Sequence, residues 1–385
     1  MVLSPLFDDL NSSQSEAVAA VDGPVLVVAG AGSGKTRVLT HRVAHLVKDL
    51  AVSPYSILAI TFTNKAAAEM KERVEEFVGE MVRNMWVSTF HSACSRILRR
   101  EAHRIGYNSA FSIYDQSDSL RLVKFCLRDL DIDSKRFPPR NIQATISHAK
   151  NELIDWEAFA SGGEGFYHEK VSDVYRLYQQ RLVEASAMDF DDLLMLTVEI
   201  LLMFPEVLDR YQQRFEYVLV DEYQDTNHAQ YQLVRLLTAE HRNLCVVGDA
   251  DQSIYKFRGA DVRNILEFER DFPDARIVVL EQNYRSTQTI LEGANAVISN
   301  NPRREPKRLW TNLGDGEPIV LYEAEDEHDE ASFIAEEVTR LGQSGFSLAD
   351  CAVLYRTNAQ SRVIEEIFVK FEVPYQVIGG LRYYD

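Results

Sequence analysis

Residues 25–36 read VLVVAGAGSGKT. The apolar run at 25–28 has the character of a short buried strand, and it meets a Gly-rich turn before Gly34-Lys35-Thr36 opens a helix. A loop of this kind binds phosphate. Its glycines let the backbone wrap an oxyanion closely, successive N–H groups point into the concavity, and the helix that follows adds its positive end. Lys35 would reach the β- and γ-phosphates of a nucleotide, and Thr36 would hold Mg²⁺ with its hydroxyl. The turn itself runs through Ala29, Gly30, Ala31, Gly32, Ser33 and Gly34, with Ala29 where the strict pattern has glycine.

A phosphate loop needs an acid to complete it. Residues 216–220 (EYVLV) form an apolar strand that ends in Asp221-Glu222. Asp221 would hold Mg²⁺, directly or through water, and Glu222 would orient and deprotonate an attacking water. The bland alternative is a capped strand end. Gln252 follows another strand, 244–247, and its amide is placed to sense a γ-phosphate. Arg285 follows the strand 276–280 and is a candidate arginine finger, with a surface salt bridge as the alternative. The amide of Gln14 can present both a donor and an acceptor to adenine, although a surface glutamine would look the same.

A second group of residues suits a nucleic-acid strand. Phe62-Thr63-Asn64 and Thr89-Phe90-His91 both fall at strand ends, where an aromatic can stack a base and small polar groups can bond a phosphate. Core aromatic plus helix cap is the competing reading for both. Tyr255, Lys256, Phe257 and Arg258 interleave aromatic and basic side chains, as single-strand stacking platforms do. Asp189, Asp191 and Asp192 lie close enough to suggest a metal, but helix capping is the better account.

The elements that must position these groups alternate. Strands are expected at 25–28, 56–63, 87–89, 216–220, 244–247 and 276–280. Helices are expected at 36–50, 64–79 with Asn64 as cap, and 90–105; another begins near Ser12 or Ser13. This is an α/β pattern with a parallel sheet and helices on its faces, and ligands gather at the carboxyl ends of such strands. Between 107 and 188 the rhythm becomes helical (116–130, 139–151, 167–184), with the loop SGGEG at 161–165, and reads as an insertion. A further α/β pattern begins near Gly314, with strands expected at 318–323, 351–355 and 375–378 and helices at 330–341 and 360–371.

Bulk composition narrows the class. With 385 residues and 46% hydrophobic content the chain can build real cores in two or three domains. No apolar run approaches a membrane span, the N-terminal stretch has no basic region of a signal peptide, and four scattered cysteines with no C-x-x-C pair disfavour a disulfide scaffold and a zinc site. A reduced, cytoplasmic setting is expected. The net charge of −18 weakens a nucleic-acid partner without excluding it, because a groove needs only local Lys and Arg.

Taken together, LNSSQ, AGAGSGKT, ITFTNKAAAEMKER, STFHS, DFDDLL, VDEYQDTN, VVGDADQSIYKFRGA, LEQNYRS and YRTNAQSR resemble the motifs of superfamily 1 DNA helicases of the UvrD/Rep/PcrA type, over essentially the whole chain. The family loop normally has Ala at the place of Ala29. The resemblance implies a P-loop RecA-like sheet with helices on both faces (1–107 and 189–280), a helical insertion (108–188), and the beginning of a second RecA-like domain (281–385). It implies that Gln14 recognises adenine, that Arg37 and Tyr284 flank its ring, and that residues 32–36 hold phosphates and Mg²⁺. Asp221 and Glu222 would be metal ligand and base, and Gln252 and Arg285 would couple the γ-phosphate to domain movement. Phe62, Asn64, His91, Tyr255 and Phe257 would lie along single-stranded DNA, with Phe257 where the family often has Trp. ATP and Mg²⁺ are the implied cofactors; single-stranded DNA, its junctions with duplex, and repair or replication proteins are the implied partners. The activity implied is 3′–5′ unwinding in repair or replication restart. The closing GGLRYYD is similar to the start of a family boundary motif, so a fragment is expected, one that binds nucleotide weakly, hydrolyses it slowly and does not unwind. A helicase-nuclease subunit and a non-motor DNA-binding module are the alternatives.

Overall fold

The computed structural model describes residues 4–301 and 307–378. They form two compact units, one ending at Gly316 and the other beginning at Glu317.

The first unit is built on a six-stranded parallel sheet of β1 (Val25–Ala29), β2 (Ile57–Thr61), β3 (Trp86–Thr89), β6 (Tyr217–Val220), β7 (Leu244–Gly248) and β8 (Arg276–Leu280), in the order β3-β2-β6-β7-β1-β8. Register is continuous across it: Leu58 faces Trp86 and Val218, Val218 faces Leu244, and Val25 faces Cys245 and Arg276. Because all neighbours are parallel, every strand ends on the same edge. A separate parallel pair, β4 (Ser112–Tyr114) with β5 (Ala187–Asp189), closes the base of the helical insertion.

Alternation along the strands separates two cores. Leu26, Val28, Leu58, Ile60, Val218, Val220, Leu244 and Val246 point to one face. There they pack on α4 (Phe90–Glu101), α9 (Phe190–Met203), α10 (Pro205–Arg214) and α11 (His228–Thr238). Val25, Val27, Ala29, Ile57, Ala59, Cys245 and Val247 point to the other, against α1 (Ser12–Ala19), α2 (Lys35–Lys48) and α3 (Asn64–Val78). Both faces are buried, which is why these strands read as continuous apolar runs. Short helices α12 (Arg263–Leu266) and α13 (Phe268–Asp271) precede β8, and α14 (Gln288–Ile298) follows it.

The insertion comprises α5 (Gln116–Asp129), α6 (Pro139–Asn151), α7 (Trp156–Ser161) and α8 (Phe166–Glu184), around a core that includes Val123, Ile146, Val174 and Tyr178. Asp189 caps α9 in a reciprocal box with Asp192, as expected of DFDDLL. Both carboxylates also take Lys150, at 2.8 and 2.7 Å, and the lysine side chain has no exposure. Burial opposes the charge on each group. The Lys150 ammonium outweighs it at Asp189, whose carboxyl is held low, whereas burial and the charge of Asp189 push Asp192 up to about 7.

Two expected caps shift by a residue or more. Asn11, not Ser12 or Ser13, caps α1, because its side chain accepts from Gln14 N–H while Gln14 reaches back to Asn11 N–H. Thr63, not Asn64, caps α3: its backbone is extended and its hydroxyl accepts from Ala66 N–H, leaving Asn64 inside the first turn.

The second unit packs α15 (Glu327–Gln343) against α16 (Ser361–Lys370) through Ala331, Ala335, Ile367 and Phe368. The strands expected at 318–323, 351–355 and 375–378 are not formed among the described residues. A strand is completed by a neighbour's hydrogen bonds, and these segments have no ladder partner there. The segment 351–355 still alternates, with Val353 against the helices and Leu354 93% exposed. Residues 379–385, which hold GGLRYYD, lie outside the described residues.

Candidate nucleotide site and nucleic-acid interface

The phosphate loop leaves β1 at Ala29 and enters α2 at Lys35. Gly32 and Gly34 take φ of +69° and +93°, a region that L side chains enter only with strain. Ser33 closes the turn by donating its hydroxyl to Gly30 O at 2.8 Å. Gly30, Ala31 and Ser33 complete the wrap, and Thr36 and Arg37 stand in the first turn of α2.

Two segments hold this loop from outside. Gln14 is buried. Its Oε1 sits in the α1 cap and its Nε2 donates to Ser33 O at 2.9 Å, so the amide braces the loop. After β8, Asn283 Nδ2 donates to Ala31 O at 2.6 Å, and Tyr284 N–H donates to Gly32 O at 2.9 Å. Asn283 Oδ1 in turn accepts from the N–H groups of Arg285 and Ser286. A Cβ on Gly32 would lie 2.6 Å from Asn283 Nδ2 and 2.7 Å from Arg285 Cβ. Tyr284 OH accepts from Asn11 Nδ2 at 2.8 Å, and Arg37 lies 3.9 Å from Asp9.

Lys35 crosses to the acidic strand end. Its Nζ is 2.8 Å from Glu222 Oε2 and 3.5 Å from Gln252 Oε1. Glu222 has φ +50°, a left-handed backbone unusual for an acid. Gln224 Nε2 donates to the same Glu222 oxygen at 2.9 Å, and Gln224 Oε1 accepts from Asp249 N–H. Gln252 Nε2 donates to Asp249, which also pairs with Lys307. Burial, then the charge of Glu222, pushes Asp221 up to about 6; the same two causes raise Asp225 to about 6.

The oxygen groups offered here, a hydroxyl and carboxylates, are of the kind Mg²⁺ takes. Among the described residues no three His, Cys, Asp or Glu side chains form a ready cage. Mg²⁺ does not require one: it binds through one or two protein oxygens and fills its octahedron with water and phosphate oxygens. The Thr36 hydroxyl and the Asp221 carboxylate are such a pair. Asp225 Oδ1 is buried without a hydrogen-bond partner, and its carboxyl feels the charges of Glu222 and Lys35.

The aromatic residues follow the same sheet edge. Phe62 stacks on Tyr255 at 4.9 Å and 27°, and Tyr255 meets Phe257 at 6.0 Å. Phe257 is 79% exposed. Thr63 spends its hydroxyl on the α3 cap, and Asn64 is exposed beside it. His91 packs edge-on against Phe190 at 5.7 Å, apart from the Phe62–Tyr255–Phe257 run. Burial lowers its pKa, so the ring is neutral near pH 7. Arg258 has its backbone in a short 3₁₀ turn, and its side chain lies outside the described residues.

Asn11, Gln224 and Asn283 are among the polar side chains of the site not singled out from the sequence. Each lies within a quoted motif, one to three residues from a residue singled out there, and that adjacency was the available signal.

The chain matches two family models, the UvrD/REP helicase N-terminal domain over residues 10–273 and the UvrD-like helicase C-terminal domain over residues 278–385. It is 53% identical over 385 residues to the ATP-dependent DNA helicase PcrA of Bacillus subtilis (strain 168), covering 100% of this chain and 52% of that protein. Over 383 residues it is 53% identical to the ATP-dependent DNA helicases PcrA of Staphylococcus aureus (strain Mu50) and of Staphylococcus epidermidis, with the same coverage of 100% and 52%. The chain therefore spans about half the length of the curated relatives it matches. The two models follow one another in order along nearly the whole sequence, and the protein belongs to the UvrD/REP helicase family.

Proposed function

We propose that this chain carries the nucleotide-hydrolysing and strand-gripping part of an ATP-dependent 3′–5′ DNA helicase or translocase. The observation that carries the reading is the Lys35–Glu222 pair, 2.8 Å long, which ties the phosphate loop to the acidic end of β6. It lies on the edge that also presents the Phe62–Tyr255–Phe257 aromatics.

In this reading the triphosphate of ATP draws the Lys35 ammonium from Glu222 to the phosphate oxygens. The freed carboxylate orients a water and takes its proton as the water attacks the γ-phosphorus in line; ADP leaves and phosphate forms. Thr36 and Asp221 would hold Mg²⁺, which would neutralise charge on the phosphate oxygens. Arg37 and Tyr284 enclose the adenine, with Gln14 steadying the loop beneath it. Gln252 and Arg285 report the γ-phosphate to the rest of the molecule. Tyr255, Phe257 and Phe62 stack bases, and Thr63, Asn64, His91 and Arg258 line the strand's path.

The substrates are ATP, single-stranded DNA and its junctions with duplex; repair or replication proteins are the partners, and the cytoplasm is the compartment. No described helix is long and apolar enough to cross a membrane. The test is ATP hydrolysis with Mg²⁺, with and without oligo-dT. Hydrolysis stimulated by DNA and lost in Lys35→Ala and Glu222→Gln is expected. Hydrolysis indifferent to DNA would remove the motor reading.

A further inference from the structure

Among the contacts between the insertion and the sheet body is one buried amide pair, Asn151 with Asn227. Asn151 is the last residue of α6 and is buried. Its Nδ2 donates to Ser147 O at 2.8 Å and to Asp191 Oδ1 at 3.0 Å, and its Oδ1 accepts from Asn227 Nδ2. Asn227 is the cap of α11, two residues beyond Asp225 on the segment that leaves Asp221 and Glu222. The preceding residue, Thr226, accepts at its carbonyl from Asp261 N–H at 2.9 Å and from Asn264 Nδ2 at 3.0 Å. Those donors anchor the turn that carries Tyr255 and Phe257. Gly259 in that turn has φ +85°, and a Cβ there would lie 3.9 Å from the Cβ atoms of both Asn151 and Asn227. Three parts thus converge on the Asn151–Asn227 pair: the insertion, the exit of the acidic strand, and the aromatic turn.

Only an amide fills this place. Asn151 donates to a carboxylate and accepts from an amide at once. An alanine would leave the buried Asn227 amide and Asp191 Oδ1 without this partner, and an aspartate would face Asp191 with a second negative charge. Nor can Asn151 drift, because its neighbour Lys150 is fixed by Asp189 and Asp192.

We infer that Asn151 is a positioning residue. Through Asn227 it holds the 255–260 turn in register with Asp221 and Glu222, so that DNA on the aromatics governs hydrolysis. The coupling to DNA rests on the function proposed above; the positioning does not.

Hydrogen exchange and ATP hydrolysis test it on the whole chain, in Asn151→Ala, Asn151→Asp and the double variant Asn151→Asp with Asp191→Asn. The double variant exchanges donor and acceptor and so restores the bond. In both single variants exchange across 223–230 and 255–261 is expected to rise about tenfold, the scale of one buried hydrogen bond left unmade. Exchange across 25–40 stays unchanged. Stimulation of hydrolysis by oligo-dT falls about tenfold while hydrolysis without DNA stays within about twofold, and the double variant recovers both readouts. Unchanged exchange at 255–261 overturns the inference, as does a uniform rise across all peptides with equal loss of basal and stimulated activity. If the unmodified chain shows no stimulation by DNA, the proposed function fails, and the exchange data still decide the role of Asn151.

Discussion

Lys35 and Lys150 are each paired with carboxylate at 2.8 Å or less, yet their surroundings differ in kind. Lys150 has no exposed surface, and its two partners are also the two halves of a helix cap. Every charge there is spent on structure. Lys35 is 12% exposed and its partner Glu222 35% exposed, at the mouth of a glycine loop. That pair is open on one side and can exchange partners. Pair distance therefore says little about role; the closure of the surroundings and the alternative uses of each partner say more.

The comparison can be broken from the closed side first. Lys150→Met leaves two buried carboxylates without their cation, and a loss of ~3–5 kcal/mol in urea unfolding is expected. A loss near zero would place Lys150 with the exchangeable pairs. Lys35→Ala should do the reverse. A fall of about 10²-fold or more in ATP hydrolysis is expected from removing a preorganised charge, with unfolding free energy within about 1 kcal/mol of the parent. Equal damage to stability would make it structural as well. Tyr255→Ala and Phe257→Ala test the open edge beyond the glycine loop. Each should weaken oligo-dT binding, read by fluorescence anisotropy, by ~1–3 kcal/mol. Unchanged binding would return both rings to packing.

The smallest effect concerns protons. Burial, followed by the charge of Asp189, raises Asp191 to about 6. That lies above the ~3.9 of an unfolded aspartate, so the folded chain binds the proton first as pH falls. The contribution of this group to stability therefore grows from pH 7 toward about pH 4. Asp191→Asn removes that contribution, and its urea midpoint, followed from pH 7 to about pH 5, should gain less than the parent's.

What was legible in the sequence had a local cause. The strand–glycine–helix succession of 25–36, the acids after 216–220 and the cap at Asp189 are each set within a few residues, and the structure has all three. The caps of α1 and α3 moved because cap type is written in composition while cap position depends on backbone angles. Long-range pairings left no periodic trace: nothing near Asn283 indicates that it grips Ala31, and nothing near Asn151 indicates Asn227. The apolar runs of the second unit were legible as such. Strand pairing was not, since it belongs to a neighbour rather than to the run.

Glu222 sits where the backbone favours glycine, at φ +50°. A library of variants sorted by folding alone should therefore enrich Glu222→Gly, which relieves left-handed strain of order 1 kcal/mol. The same library sorted by hydrolysis should discard it. The position pulls two selections in opposite directions, so the ratio of its enrichment in the two screens measures how much conformational comfort this protein gives up to keep a carboxylate at the end of β6.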